Sequence, residues 1–172
     1  YGLDYFTILF QFPNERLPIL CLLSKERGTG KTTLLAVLKE IFGSNMTYNN
    51  NEDFRSNFND SWVSKLIIAV DEVLLDRRED SEKLKNLSTA KAYKVESKGV
   101  DRTEVEFFGK FILCSNNEDD FVAIDPLETR YWIRKIKSLE KSDPFLLDKM
   151  IAEVPAFMYF LQNRKINYKK QG

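Results

Sequence analysis

The sequence contains no histidine. That removes every mechanism that needs an imidazole base, including Ser-His-Asp and Cys-His hydrolysis, and with only two cysteines present it also rules out the common zinc patterns. Glycine and proline are scarce, seven and five in 172 residues, which leaves little chain for flexible linkers. The two cysteines, Cys21 and Cys114, sit in separate apolar runs and read as buried, reduced thiols of an intracellular protein, not as a disulfide framework. No apolar run approaches the roughly 20 residues of a membrane helix. The opening YGLDYFTILFQF is too aromatic, and meets Pro13 too soon, for a secretory signal. An excess of one charge is also missing, with 26 basic residues against 26 acidic. A domain that coats nucleic acid with a broad basic face is strongly positive. Any DNA or RNA contact here must therefore be local, on a loop or made by a ring of subunits.

What remains is ample for a core: 43% of residues are hydrophobic and 13% aromatic. The chain opens on Tyr1, which reads as a piece of a longer protein. Residues 1–16 are expected as a lead-in from a preceding region, 17–163 as one domain, and 164–172 as a polar, frayed tail. Residues 3–12 form a short apolar helix or strand. Leu17–Leu23, Lys65–Val70 and Phe111–Cys114 are continuously apolar but for the leading Lys65, as strands buried on both faces are. Leu34–Phe42 has helical spacing and a stop at Gly43. Phe54 and Phe58, four apart, suit one helical turn, and 79–90 an exposed helix. Alternation across 92–108 around Lys98-Gly99 suggests a β-hairpin. Tyr131–Ile136 is a further strand or an edge, and Asp143-Pro144 opens a helix to about Gln162 that Pro155 kinks. Strands alternating with helices predict an α/β fold around a mostly parallel sheet.

The chemistry gathers behind the first buried strand. The segment Arg27-Gly28-Thr29-Gly30-Lys31-Thr32-Thr33 lies between that strand and a helix, where a phosphate loop G-x-x-x-x-G-K-[ST] belongs. Backbone N–H groups and the helix dipole there favour an anion. Lys31 would reach the β- and γ-phosphates of a nucleotide, the Thr32 hydroxyl would hold Mg²⁺, and Thr33 would face the helix. The first glycine of the pattern is replaced by Lys25, which would have to adopt a glycine-like conformation.

The second buried strand closes on Asp71-Glu72, suited to holding Mg²⁺ through water (Asp71) and polarising an attacking water (Glu72). The third ends in Asn116-Asn117. Asn116, with Asn117 as the off-by-one alternative, could contact the γ-phosphate or the lytic water. In chain order these three elements specify a nucleotide hydrolase using Mg²⁺ far more narrowly than any one does.

The runs GTGKT, LIIAVDE, KFILCSNN and LETRYWIRKI resemble the superfamily 3 helicases of viruses, phages and plasmids, nearest the helicase part of phage primase-helicases. The resemblance spans about Leu17 to Ile136. It makes the nucleotide ATP and implies an AAA+-like P-loop NTPase, a three-layer sandwich with a β-hairpin insertion, assembling as hexameric rings around single-stranded DNA, with a primase fused or in partnership. It implies a life in the cytoplasm of a bacterial host and no membrane. Arg130, with Arg134 as runner-up, falls where the family has an arginine finger offered to the neighbouring subunit's nucleotide. The family's DNA-contacting hairpin falls on 82–102, with six basic residues against three acidic; Lys91, Lys94 and Lys98, with Tyr93 interleaved, would grip phosphates. Two other classes share the motifs: an AAA+ loader or remodelling switch that does not unwind DNA, and a P-loop small-molecule kinase.

Overall fold

The computed structural model describes residues 1–56, 58–72, 78–96, 101–117, 128–139, 141 and 143–166. A strand that is apolar on both faces needs cover on both sides, and this places three strands at the centre of the molecule. β1 (Ile19–Leu23), β3 (Ile67–Val70) and β6 (Lys110–Ser115) are buried along their whole lengths. They lie between two edge strands, β2 (Met46–Asn49) and β7 (Tyr131–Lys135), in a five-stranded parallel sheet of order β2-β3-β6-β1-β7.

Helices cover the two faces. On one, α1 (Gly2–Gln11) and α2 (Lys31–Phe42) send Tyr5, Leu9, Leu35 and Leu38 onto Leu20, Leu22, Ile67, Ala69, Ile112 and Cys114, and α5 (Leu146–Asn163) packs outside them. On the other, Phe54 of α3 (Asn51–Arg55) and Leu84 and Leu87 of α4 (Arg78–Thr89) meet Cys21, Ile68, Val70 and Leu113. A separate antiparallel pair, β4 (Ala92–Val95) with β5 (Thr103–Glu106), is the hairpin insertion. This is the α/β fold that the strand–helix alternation predicts.

Several local expectations change. Of the helix or strand expected over 3–12, the helix forms, over Gly2–Gln11, and α1 packs on the sheet with Leu9 fully buried. Gln11 Nε2 donates to the carbonyls of Leu161 (2.6 Å) and Arg164 (2.9 Å), satisfying the open C-terminal end of α5. Arg164, expected at the head of a frayed tail, ion-pairs Asp4 at 2.7 Å and reaches the Thr7 hydroxyl; residues 167–172 lie outside the described residues. Phe54 is buried but Phe58 is half exposed, because α3 ends at Arg55 and Ser56 turns extended. β2 is a strand the sequence did not announce: an edge strand buried only at its ends has no continuous apolar run. Cys21 and Cys114 are free and buried, and burial pushes both thiols well above their ordinary range.

Candidate functional site

Parallel strands bring their C-terminal ends to one edge of the sheet, and ligands of open α/β sheets bind there. β1, β3 and β6 deliver to that edge the loop 24–30, the acids Asp71-Glu72, and Asn116. The loop must turn from β1 into α2 with its amides inward, and two glycines allow it. Gly28 and Gly30 sit at φ of 69° and 84°, with open space where a Cβ would be. Gly30 is the N-cap of α2 and has no side chain to cap it, so the first-turn N–H groups face the cleft. Lys25 does not take the left-handed role expected of it; among the described residues Glu72 is the single non-glycine with positive φ, 57°.

Arg27 to Thr33, Asp71, Glu72 and Asn116 line one cleft of about 340 Å³. Thr33, expected to face the helix, is part of this lining. Lys31 is 6% exposed, so its ammonium needs partners. It donates to Asn116 Oδ1 at 2.8 Å, to Thr29 Oγ1 at 3.2 Å and to Ser24 Oγ. Ser24 and Thr29 hydroxyls share a 3.2 Å hydrogen bond, and Ser24 also donates to the Glu26 carbonyl. Ser24 is the member that motif reading missed; a serine directly behind a buried strand was its only signal. Thr32 Oγ1 donates to Asp71 Oδ2 at 3.2 Å, joining a hydroxyl and a carboxylate that could hold one hard divalent cation. Among the described residues no group of three or more His, Cys, Asp or Glu side chains is placed to hold a metal by itself. Asn117 donates its N–H to Ser115 Oγ at 3.1 Å and is not in the lining, so of the two amides it is Asn116 that meets Lys31.

The other sequence candidates lie elsewhere. The Arg130 carbonyl accepts from Ile19 N–H at 2.7 Å, where β1 begins. That puts Arg130 at the opposite edge of the sheet, a five-residue strand or roughly 16 Å from its own phosphate loop at about 3.3 Å per residue. Its guanidinium is paired bidentately with Glu128, at 2.7 and 2.5 Å, and the hydrogen bonds from Arg130 draw the Glu128 carboxyl down to about 2. Arg134 is exposed and lies 5.8 Å over the Trp132 ring. Lys91 and Lys94 are exposed on the hairpin; Lys98 lies outside the described residues. Lys94 stands directly opposite Glu104, and Arg102 pairs with Glu96 at 2.8 Å. The described hairpin therefore has mixed charge, which the count over 82–102 missed because the β5 acids fall beyond it. Tyr93 is no free stacking platform, since its ring packs on Trp62 and Phe107 at 6.1 and 6.0 Å.

Residues 22–134 match the family of unknown function DUF5906. A DNA primase-polymerase of Nitratiruptor phage NrS-1 is 25% identical over 177 residues, which cover 98% of this chain and 24% of that protein. The chain thus spans about a quarter of its relative. The apo C-terminal region of NrS-1 superposes with a TM-score of 0.84 at 23% identity, over 96% of this chain and 42% of that one. A JCV helicase bound to a small-molecule acetamide superposes with a TM-score of 0.59 at 16% identity, over 93% and 48%. Both share the fold described above. Among the described residues no helix is long and apolar enough to cross a membrane.

Proposed function

The chain belongs to the family of unknown function DUF5906, and we propose that it works as an ATP-dependent DNA helicase motor of the superfamily 3 type in a phage or mobile-element replication protein. The observation that carries this reading is the convergence of Lys31, Thr32, Asp71, Glu72 and Asn116 on one cleft at the ends of three parallel strands. The phage primase-polymerase relative supports a place in replication, with a primase as fused or separate partner.

The residues fit a nucleoside triphosphate with Mg²⁺. The loop amides and Lys31 are donors only, and Thr32 with Asp71 offers the small protein ligand set that Mg²⁺ takes when phosphates complete its shell. When bound, the cation would supply charge neutralisation between the β- and γ-phosphates. Lys31 would carry its charge to the same oxygens. Glu72, exposed at the strand end, would accept a proton from the attacking water as the water oxygen bonds the γ-phosphorus. The bond from that phosphorus to the β–γ bridging oxygen would break, the diphosphate leaving with the electron pair. Asn116 shares its amide with Lys31, so it would register a change of partners there and pass it along β6.

Arg130 is too far from its own cleft to serve it, and its position at the other edge of the sheet suits a neighbouring subunit's cleft in a homo-oligomeric ring, a hexamer by the resemblance. Lys91 and Lys94, with Lys98, would then line a central channel that draws single-stranded DNA. The mixed charge of the hairpin favours a second reading, an AAA+ switch that loads or remodels partners without unwinding.

ATP hydrolysis by the intact protein, with and without single-stranded DNA, decides between them. DNA-stimulated turnover, abolished by Lys31→Ala and by Arg130→Ala and partly restored when the two are mixed, is the expected result. Turnover indifferent to DNA favours the switch, and no turnover at all overturns both.

A further inference from the structure

Among the groups that fasten the hairpin to the segment leading into β3, the strand that carries Asp71 and Glu72, is the buried side chain of Asn59, 5% exposed. Asn59 Nδ2 donates to the Lys94 carbonyl at 2.8 Å, and its Oδ1 accepts from the Glu96 N–H at 2.9 Å. Its own N–H donates to the Glu96 carbonyl at 3.2 Å. One residue thereby pairs with the C-terminal end of the β4 edge that β5 leaves open, at Lys94 and Glu96, acting as a one-residue strand. From Asn59 the connection is stiff. Trp62 and Val63 donate N–H to its carbonyl at 3.1 and 3.0 Å, Lys65 donates to Trp62, and Leu66 leads into β3, its carbonyl accepting from Lys110 N–H at 2.8 Å. Trp62, fully buried, packs between Tyr93 of the hairpin and Phe54, and Phe107 joins the same cluster to Phe111 of β6. At the far end of β3, Glu72 holds a left-handed backbone, φ 57°, which a non-glycine residue seldom adopts.

We propose that Asn59 is a positioning residue that couples the nucleotide cleft to the hairpin, so that displacement of Asp71-Glu72 moves the segment bearing Lys91 and Lys94. The proposal rests on the motor reading above and names the element through which that motor would transmit force. Rotation of the Glu72 backbone shifts β3, β3 shifts the turn from Asn59 to Leu66, and the three hydrogen bonds of Asn59 carry the shift to β4.

The test uses the intact protein with Asn59→Ala and Asn59→Asp; the aspartate keeps the acceptor for Glu96 N–H but sets a charged oxygen against the Lys94 carbonyl in place of the donor. Thermal melting selects the variants that fold. In these, turnover without DNA is expected within about twofold of wild type. Stimulation by oligo(dT) is expected to fall at least about fivefold, the lower range of coupling between sites. A folded variant that keeps wild-type stimulation overturns the proposal. Amide exchange at Glu96 supplies the readout that needs neither DNA nor a variant. Mg²⁺ with a slowly hydrolysed ATP analogue should change it in the wild type, and no change despite nucleotide binding overturns the coupling. Failure of the wild type to bind nucleotide or respond to DNA instead overturns the motor reading, which separates the two failures.

Discussion

Lys31 Nζ donates to Asn116 Oδ1 at 2.8 Å, joining residues 85 apart in sequence across the ends of adjacent strands β1 and β6. The ammonium is buried and its other partners, Ser24 and Thr29, are hydroxyls. Of these three partners Asn116 is the one that comes from a different strand, and it ties Lys31 to the end of β6 as the Thr32–Asp71 hydrogen bond ties the same loop to the end of β3.

Asn116→Ala removes one acceptor from a buried cation and one polar group from the cleft. Nucleotide affinity should change by only a few-fold, while ATP turnover should fall about 10²-fold, the scale for losing one preorganised polar contact to a transition state. Nucleotide titration beside steady-state turnover checks it; equal loss in both would mean that Asn116 acts in binding alone.

Thr32→Val keeps the shape of the side chain and deletes the hydroxyl that donates to Asp71 at 3.2 Å. The Mg²⁺ concentration giving half-maximal turnover should rise about tenfold or more, in the range for disturbed metal-ligand shells. The melting temperature should stay within a few degrees of wild type. A Mg²⁺ titration of turnover, with a melt alongside, measures both.

Gly109 precedes β6 where Phe107 folds back over Ile68. A Cβ at position 109 would lie 2.7 Å from Phe107 Cζ and 2.8 Å from Ile68 Cδ1. Gly109→Ala should destabilise by about 1–3 kcal/mol, the usual cost of overpacking. Urea unfolding followed by tryptophan fluorescence reads it through Trp62, which packs 6.4 Å from Phe107.

Lys110, 5% exposed, donates to the carbonyls of Pro13 and Phe108. Burial pushes its amine down to about 8, with Glu15 opposing the shift. Between about pH 8 and 10.5 the unfolded chain therefore binds more protons at this site than the folded one, so stability from this group rises with pH across that window. Lys110→Met should abolish that rise, seen as a flatter difference in unfolding free energy between pH 8 and 10.5.

The three buried strands were legible because each is a short continuous apolar run, Leu20–Leu23, Ile67–Val70 and Phe111–Cys114, closed by polar residues, as strands covered on both faces are. The loop residues from Gly28 to Thr32 were legible because few side chains other than glycine, lysine and threonine suit a turn around an anion. β2 was not, since an edge strand such as Met46–Asn49 can be half polar. Nor was the partnership of Ser24 with Lys31, because a serine after a strand serves many purposes.

By itself, the sequence determined which segments had to be buried and which chemistry they could carry to their ends; absence of histidine and the order loop, acids, amide depend on residue identity alone. Only the tertiary structure decided who meets whom. Strand order β2-β3-β6-β1-β7 puts β6 between β3 and β1, and so sets Asn116 rather than Asn117 against Lys31. The same parallel arrangement sends Arg130 to the far edge, and pairing in the hairpin sets Glu104 against Lys94 and Asn59 against β4. These are long-range pairings, fixed by the packing of whole strands and helices, and no local pattern of residues encodes them.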